Sequence, residues 1–113
     1  MDKKRKLSFI VSDLYHFLPF CQKLTETGNH DVRVFLVGRA QTDLYAPFKF
    51  SFDQERFNTV KWLSSKVKFF CECPSRGSRE EIFEEFKKAN ITDITYDDFI
   101  VESLNSGYEI LQI

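Results

Sequence analysis

The stretch LSFIVSDLYHFLPFCQKLTETGNHDVRVFLV, residues 7–37, decides the fold. It opens on an apolar, partly β-branched run, residues 7–11, and closes on a second, residues 32–37; both read as buried strands. Between them lies a helical segment. Asp13 suits its N-cap, and Gly28 suits its end, just before Asn29 and His30. Pro19 fits a first helical turn better than an interior. A strand, a helix and a second strand in so short a span form a crossover unit, in which the two strands lie side by side and parallel.

The same alternation continues to the end of the chain. VKFFC, residues 67–71, reads as a third strand and YEILQI, residues 108–113, as a last one. Ser51-x-x-Gln54 is a capping box opening a helix to about Ser65, Ser78-x-x-Glu81 opens another to about Ala89, and Thr95-x-x-Asp98 opens a third that Gly107 ends. The strands are apolar throughout rather than at every second residue. That pattern belongs to a mainly parallel sheet with helices on both faces, a single-domain α/β fold of Rossmann-like type. RAQTDLYAPFKF, residues 39–50, is aromatic, carries a Pro, and reads as a long loop or lid at the carboxyl end of the second strand.

Bulk properties agree with one domain over residues 1–113, with residues 1–6 a basic N-terminal tail. The chain has 113 residues and 13 Phe, enough large side chains for one hydrophobic core. Its 16 Lys+Arg against 17 Asp+Glu give a net charge of -1, so no overall basic field points to nucleic acid as the partner. Lys3-Lys4-Arg5-Lys6 could bind phosphate, but reads first as a solvated tail. No apolar stretch approaches the ~20 residues that span a bilayer, and LSFIV is too short for the apolar region of a signal peptide. A cytoplasmic protein is expected. Three cysteines without a secretory signal point the same way, to reduced thiols rather than a disulfide framework.

Chemistry, if present, is expected where strands end and helices begin, because helix N-termini present free N–H groups and the positive end of a dipole. Cys71 and Cys73 lie at such a junction. A thiol near the start of the Ser78 helix, with Arg76 and Arg79 close by, would favour the thiolate that nucleophilic or redox sulfur chemistry requires. The plain alternative is that Cys71 finishes a core strand, since Cys is among the most buried residue types. Cys21, four residues after Phe17 and three before Leu24, has the spacing of a helix face and a core role. His16 follows the first strand at the end where ligands collect; His30 precedes a strand. Neither has metal-type spacing to the cysteines, and no metal site is expected. Glu80, Glu81, Glu84 and Glu85 read as a solvated helix face. With four glycines in all, no Gly-rich phosphate loop and no G-x-S-x-G, neither a nucleotide cofactor nor serine hydrolysis is indicated.

KLSFIVSD, followed by a helix and GNHDVRVFLVGRAQTDL, resembles the amino half of the DsrE/DsrF/TusD-like sulfur-relay proteins. VKFFCECPSRG is similar to that family's strand, cysteine and Arg-Gly loop. ITDITYDDFIVESLNSGYEILQI is similar to its closing segment of short strand, helix and final strand. The resemblance implies a small α/β subunit that assembles with copies of itself or with related subunits and carries sulfane sulfur as a cysteine persulfide. It further implies sulfur-donor and sulfur-acceptor protein partners. Cys71 matches the sulfur-accepting position and Cys73 the second cysteine of some members, with Arg76 favouring the thiolate. The stretch from Cys71 to Arg76 is shorter than the family's, and residues 45–57 are unusually aromatic. A second reading of the chain is a non-enzymatic Rossmann-like oligomer or partner-binding module. Its interface would be that aromatic segment, with Tyr45, Phe48, Phe50 and Phe52 as anchors.

Overall fold

A computed structural model of the chain describes residues 4–40, 54–72, 84 and 87–113, the side chains of 54–57 excepted. Five strands form one sheet: β1 (Arg5–Val11), β2 (His30–Leu36), β3 (Lys68–Cys71), β4 (Ile91–Asp93) and β5 (Glu109–Gln112). Their order across the sheet is β4-β3-β2-β1-β5, and every pairing is parallel. The mainly parallel α/β sheet expected from the apolar runs is therefore present, with β1 beside β2 over the whole of both strands.

Three helices have described bounds: α1 (Leu14–Glu26), α2 (Gln54–Leu63) and α3 (Tyr96–Asn105). Alternate residues of the strands face opposite layers, as the pleat requires. Leu7, Phe9 and Val11 of β1, with Val32, Val34 and Leu36 of β2, pack with Leu14, Phe17, Leu18 and Cys21 of α1 and with Val60 and Leu63 of α2. Ile10, Phe35 and Phe70 point the other way and pack with Phe99 of α3. Helices thus cover both faces.

Local chemistry sets where the helices start and stop. Asp13 caps α1, its side chain accepting from the N–H groups of Tyr15 and His16, and Thr95 caps α3 by accepting from the N–H of Asp98. Gly28, at φ 70°, and Gly107, at φ 81°, end the turns after α1 and α3 in the left-handed region, where a side chain would be strained.

Two details differ from the sequence reading. Pro19 stands inside α1 rather than in its first turn. The cap at Asp13 and the buried face of Leu14, Phe17, Leu18 and Cys21 start the helix earlier, and their burial outweighs the ~3 kcal/mol that an interior proline costs. The second difference is β4, three residues long, which the residues alone do not announce and which only the family resemblance implied.

Candidate functional site

In an open parallel sheet, ligands bind outside the carboxyl ends of the strands, at the point where the strand order reverses. Here successive strands step from β1 outward to β4, then α3 carries the chain back across to β5 on the far side of β1. The reversal lies between β1 and β5. The N–H and Oγ of Ser12 both donate to the Ile113 carbonyl, at 3.3 and 3.4 Å, and the Ile113 N–H donates to the Ile10 carbonyl at 2.9 Å. The two strand ends are therefore held together directly.

Beside them stands a carboxylate–imidazole pair. Asp13 Oδ1 accepts from the N–H of Tyr15 at 3.0 Å and of His16 at 3.4 Å, while Oδ2 lies 2.7 Å from His16 Nδ1. The His16 hydrogen bond is the main cause that holds the Asp13 carboxyl below the ordinary aspartate value, and the slight loss of hydration opposes it. The pair is open to solvent, with the His16 side chain 79% exposed. Asp13 engages Nδ1 and so leaves Nε2 as the ring nitrogen able to meet a ligand. The sequence placed His16 at the ligand end of the first strand, and the geometry agrees.

Cys71 ends β3 at the same margin of the sheet, between Leu36 of β2 and Asp93 of β4. Its side chain is 0% exposed and belongs to the cluster that faces α1 and α2. Sγ lies 3.8 Å from the Glu72 carbonyl oxygen. The site expected from sequence needed a thiol in reach of solvent or a cleft; what is found is a packed one. Cys73 and Arg76, its proposed helpers, lie outside the described residues, as do Tyr45, Phe48, Phe50 and Phe52 of the proposed interface. Cys21 is likewise fully buried, and burial pushes its thiol up to about 12. Among the described residues, no group of three or more His, Cys, Asp or Glu side chains stands together as a metal site would require.

Two features went unread in the sequence. Arg33, within the apolar run of β2, is buried at 5% exposure against three rings, its guanidinium carbon 4.6 Å from the Phe70 centroid, 5.1 Å from Tyr108 and 5.3 Å from Phe99. Glu102 Oε1 lies 3.6 Å from Nη2, and the Tyr108 hydroxyl donates to Asp31 at 2.8 Å. A single cation inside the otherwise apolar run of residues 32–37 is the signal that could have found this cluster. The second feature is Trp62, 54% exposed beside an open groove between α1 and α2.

No family model, no curated protein and no solved structure matches the chain. The class that the coordinates define is an α/β domain with an all-parallel, five-stranded sheet of Rossmann-like type. No described helix is long and apolar enough to cross a membrane.

Proposed function

We propose that the chain is a small Rossmann-like binding module that works in an assembly, with copies of itself or with related subunits, and that Cys71 serves it as a packing residue. The observation that carries this reading is the complete burial of Cys71. A thiol sealed in apolar surroundings reacts only as fast as the protein opens, which does not suit a carrier that must be loaded and unloaded by other proteins. The aromatic segment 45–57 is the proposed contact surface, because aromatic anchors dominate the energetics of protein contacts.

One observation favours the sulfur-relay reading as the second: Cys71 closes a strand at the margin of the sheet where α/β proteins place their chemistry. On that reading Cys71 accepts sulfane sulfur from a donor protein and passes it on, with Cys73 and Arg76 assisting. A single experiment separates the two. The native protein is treated with a thiol-alkylating agent, with and without prior exposure to a persulfide donor, and the cysteines are read by peptide mass. The binding-module reading expects Cys71 to stay unlabelled and unloaded until the protein is denatured, while light scattering at micromolar concentration reports more than one subunit. Persulfide on Cys71 of the folded protein would replace it with the relay, and a strict monomer would remove the self-assembly.

A further inference from the structure

The sheet ends on β5, which pairs with β1 alone among the described strands. The ladder fixes which of its backbone groups that pairing uses. The Ile113 N–H donates to the Ile10 carbonyl and the Ile113 carbonyl accepts from the Ser12 N–H, so the odd-numbered residues turn their N–H and C=O groups towards β1. Those of Ile110 and Gln112 point the other way, because the alternation of a ladder sends successive residues to opposite neighbours. Neither Lys nor Pro, the usual guards of an edge, occurs from Glu109 to Gln112.

Apolar side chains follow this edge on both faces of the sheet. On one face Phe20 and Leu24 occupy the flank of α1 opposite Gln22, which lines the groove towards α2, so they stand on the β5 side. Phe20 is exposed, and its ring lies 5.8 Å from that of Phe9, the β1 residue in register with Leu111. On the other face Glu102 of α3 reaches Arg33 of β2, and Ile100 and the exposed Leu104 ride the opposite flank, on the side of Ile110. Charge is uneven along the edge: Arg5 and Lys6 stand where β1 begins, and Asp13 stands just past its end.

We propose that β5 is a dimer contact: a second copy of the chain pairs with it antiparallel, about a two-fold axis that runs normal to the sheet and passes between Leu111 and the partner's Leu111. This register sets Ile110 opposite the partner's Gln112, where the two exchange both hydrogen bonds, so all four outward groups of each copy are used. Rotation about such an axis keeps like faces together. Phe20, Leu111 and their two counterparts form one continuous apolar layer, and the Leu104 flanks approach each other in the other layer. The cationic start of β1 comes beside the acidic end of the partner's β1, and Glu109, already paired with Arg5 at 2.9 Å, lies opposite the partner's Ile113 rather than a like charge. An unrelated extended strand would take the backbone groups alone, whereas a second copy also matches both apolar layers and the reversed charge. The inference rests on the self-assembly proposed above and gives it a surface separate in sequence from residues 45–57.

Identical residues are neighbours only at the axis, which makes the register testable. In a non-hydrogen-bonded antiparallel pair the Cα atoms lie about 4.5 Å apart, within disulfide reach, whereas residue 110 and its counterpart are offset diagonally by about 8 Å and lie beyond it. The full chain with Cys73→Ser keeps only the fully buried Cys21 and Cys71 as native thiols. In that background Leu111→Cys should give a disulfide-linked dimer under mild oxidation, read by intact mass, and Ile110→Cys should not. Gln112→Pro removes an outward N–H that β1 does not use, so the chain should keep its circular dichroism spectrum. Light scattering at micromolar concentration should report two subunits for the parent and one for that variant. A dimer that persists in folded Gln112→Pro, no linkage at residue 111, or equal linkage at 110 and 111 would each overturn the proposal while leaving self-assembly through another surface. A parent that stays monomeric at every concentration would overturn both.

Discussion

Ser8 donates a 3.0 Å hydrogen bond to Ser103, hydroxyl to hydroxyl, and both side chains are completely buried. The bond ties β1 to α3 in the layer that holds Ile10, Phe35, Phe70 and Phe99 and the buried Arg33. The two hydroxyls partner each other, so removing one takes a buried hydrogen-bond partner from the other. Ser8→Ala and Ser103→Ala should each cost about 1–3 kcal/mol in denaturant unfolding, and the double variant should cost clearly less than their sum. Simple additivity would mean that the two hydroxyls are satisfied independently.

Arg33 and Glu102 should behave unequally. Glu102 is 57% exposed and its contact with Arg33 is long at 3.6 Å, so Glu102→Gln should change stability by less than about 1 kcal/mol. The arginine stem and guanidinium fill space between rings, which a long apolar side chain also fills without the cost of burying charge. Arg33→Met should therefore be neutral or stabilising, and Arg33→Ala should be the damaging change. Thermal unfolding of the three variants checks the order; a large loss in Arg33→Met would show that the cation itself is required.

Tyr108 gives the fold an alkaline limit. Partial burial, followed by the hydrogen bond to Asp31, raises its folded pKa above the ordinary tyrosine value. A raised value in the folded state means that its contribution is fully present below the unfolded pKa, near 10, and is lost as pH rises through the folded value. Stability measured through that window should decline, and Tyr108→Phe should flatten the decline while lowering stability at neutral pH. An identical alkaline profile in the variant would contradict the assignment.

The Asp13–His16 pair has the opposite sign. Because the folded carboxyl lies below its unfolded value, its contribution is present above the unfolded pKa and is lost as pH falls through the depressed one. Carboxyl resonances followed by NMR should place Asp13 below a typical aspartate, and His16→Ala should move it back upward. An unmoved Asp13 would mean that the two N–H bonds at the helix start, rather than the imidazole, set its acidity.

How far the residues foretold these features depends on how local each one is. The apolar runs fixed β1, β2 and β3 to within two residues, because a strand covered on both faces must be apolar throughout. Asp13 and Thr95 were readable as caps because a cap is settled within one turn of chain. β4 was not, since three residues at the margin of a sheet leave too little pattern to detect. The position of Cys71 at a strand end was legible. Its burial stood in the sequence as the plain alternative, because Cys is among the most buried residue types; what decides it lies in residues distant in sequence, Leu36 beside it and the side chains of α1 and α2 beneath. Asn90 and Ser64 meet in a hydrogen bond that no spacing along the chain announces.

The crossing of α3 from one margin of the sheet to the other makes β5 a cover strip. β5 pairs with β1 from Leu7 to Ile10, and those bonds occupy the side of β1 that β2 does not use. Detaching the final strand would expose a row of unpaired N–H and C=O groups along a seven-residue strand that contains LSFIV, a template on which further strands could add. A chain ending before β5 should therefore be prone to fibrillar aggregation even with the rest of its core intact, so that four residues at the rim guard the colloidal behaviour of the whole molecule.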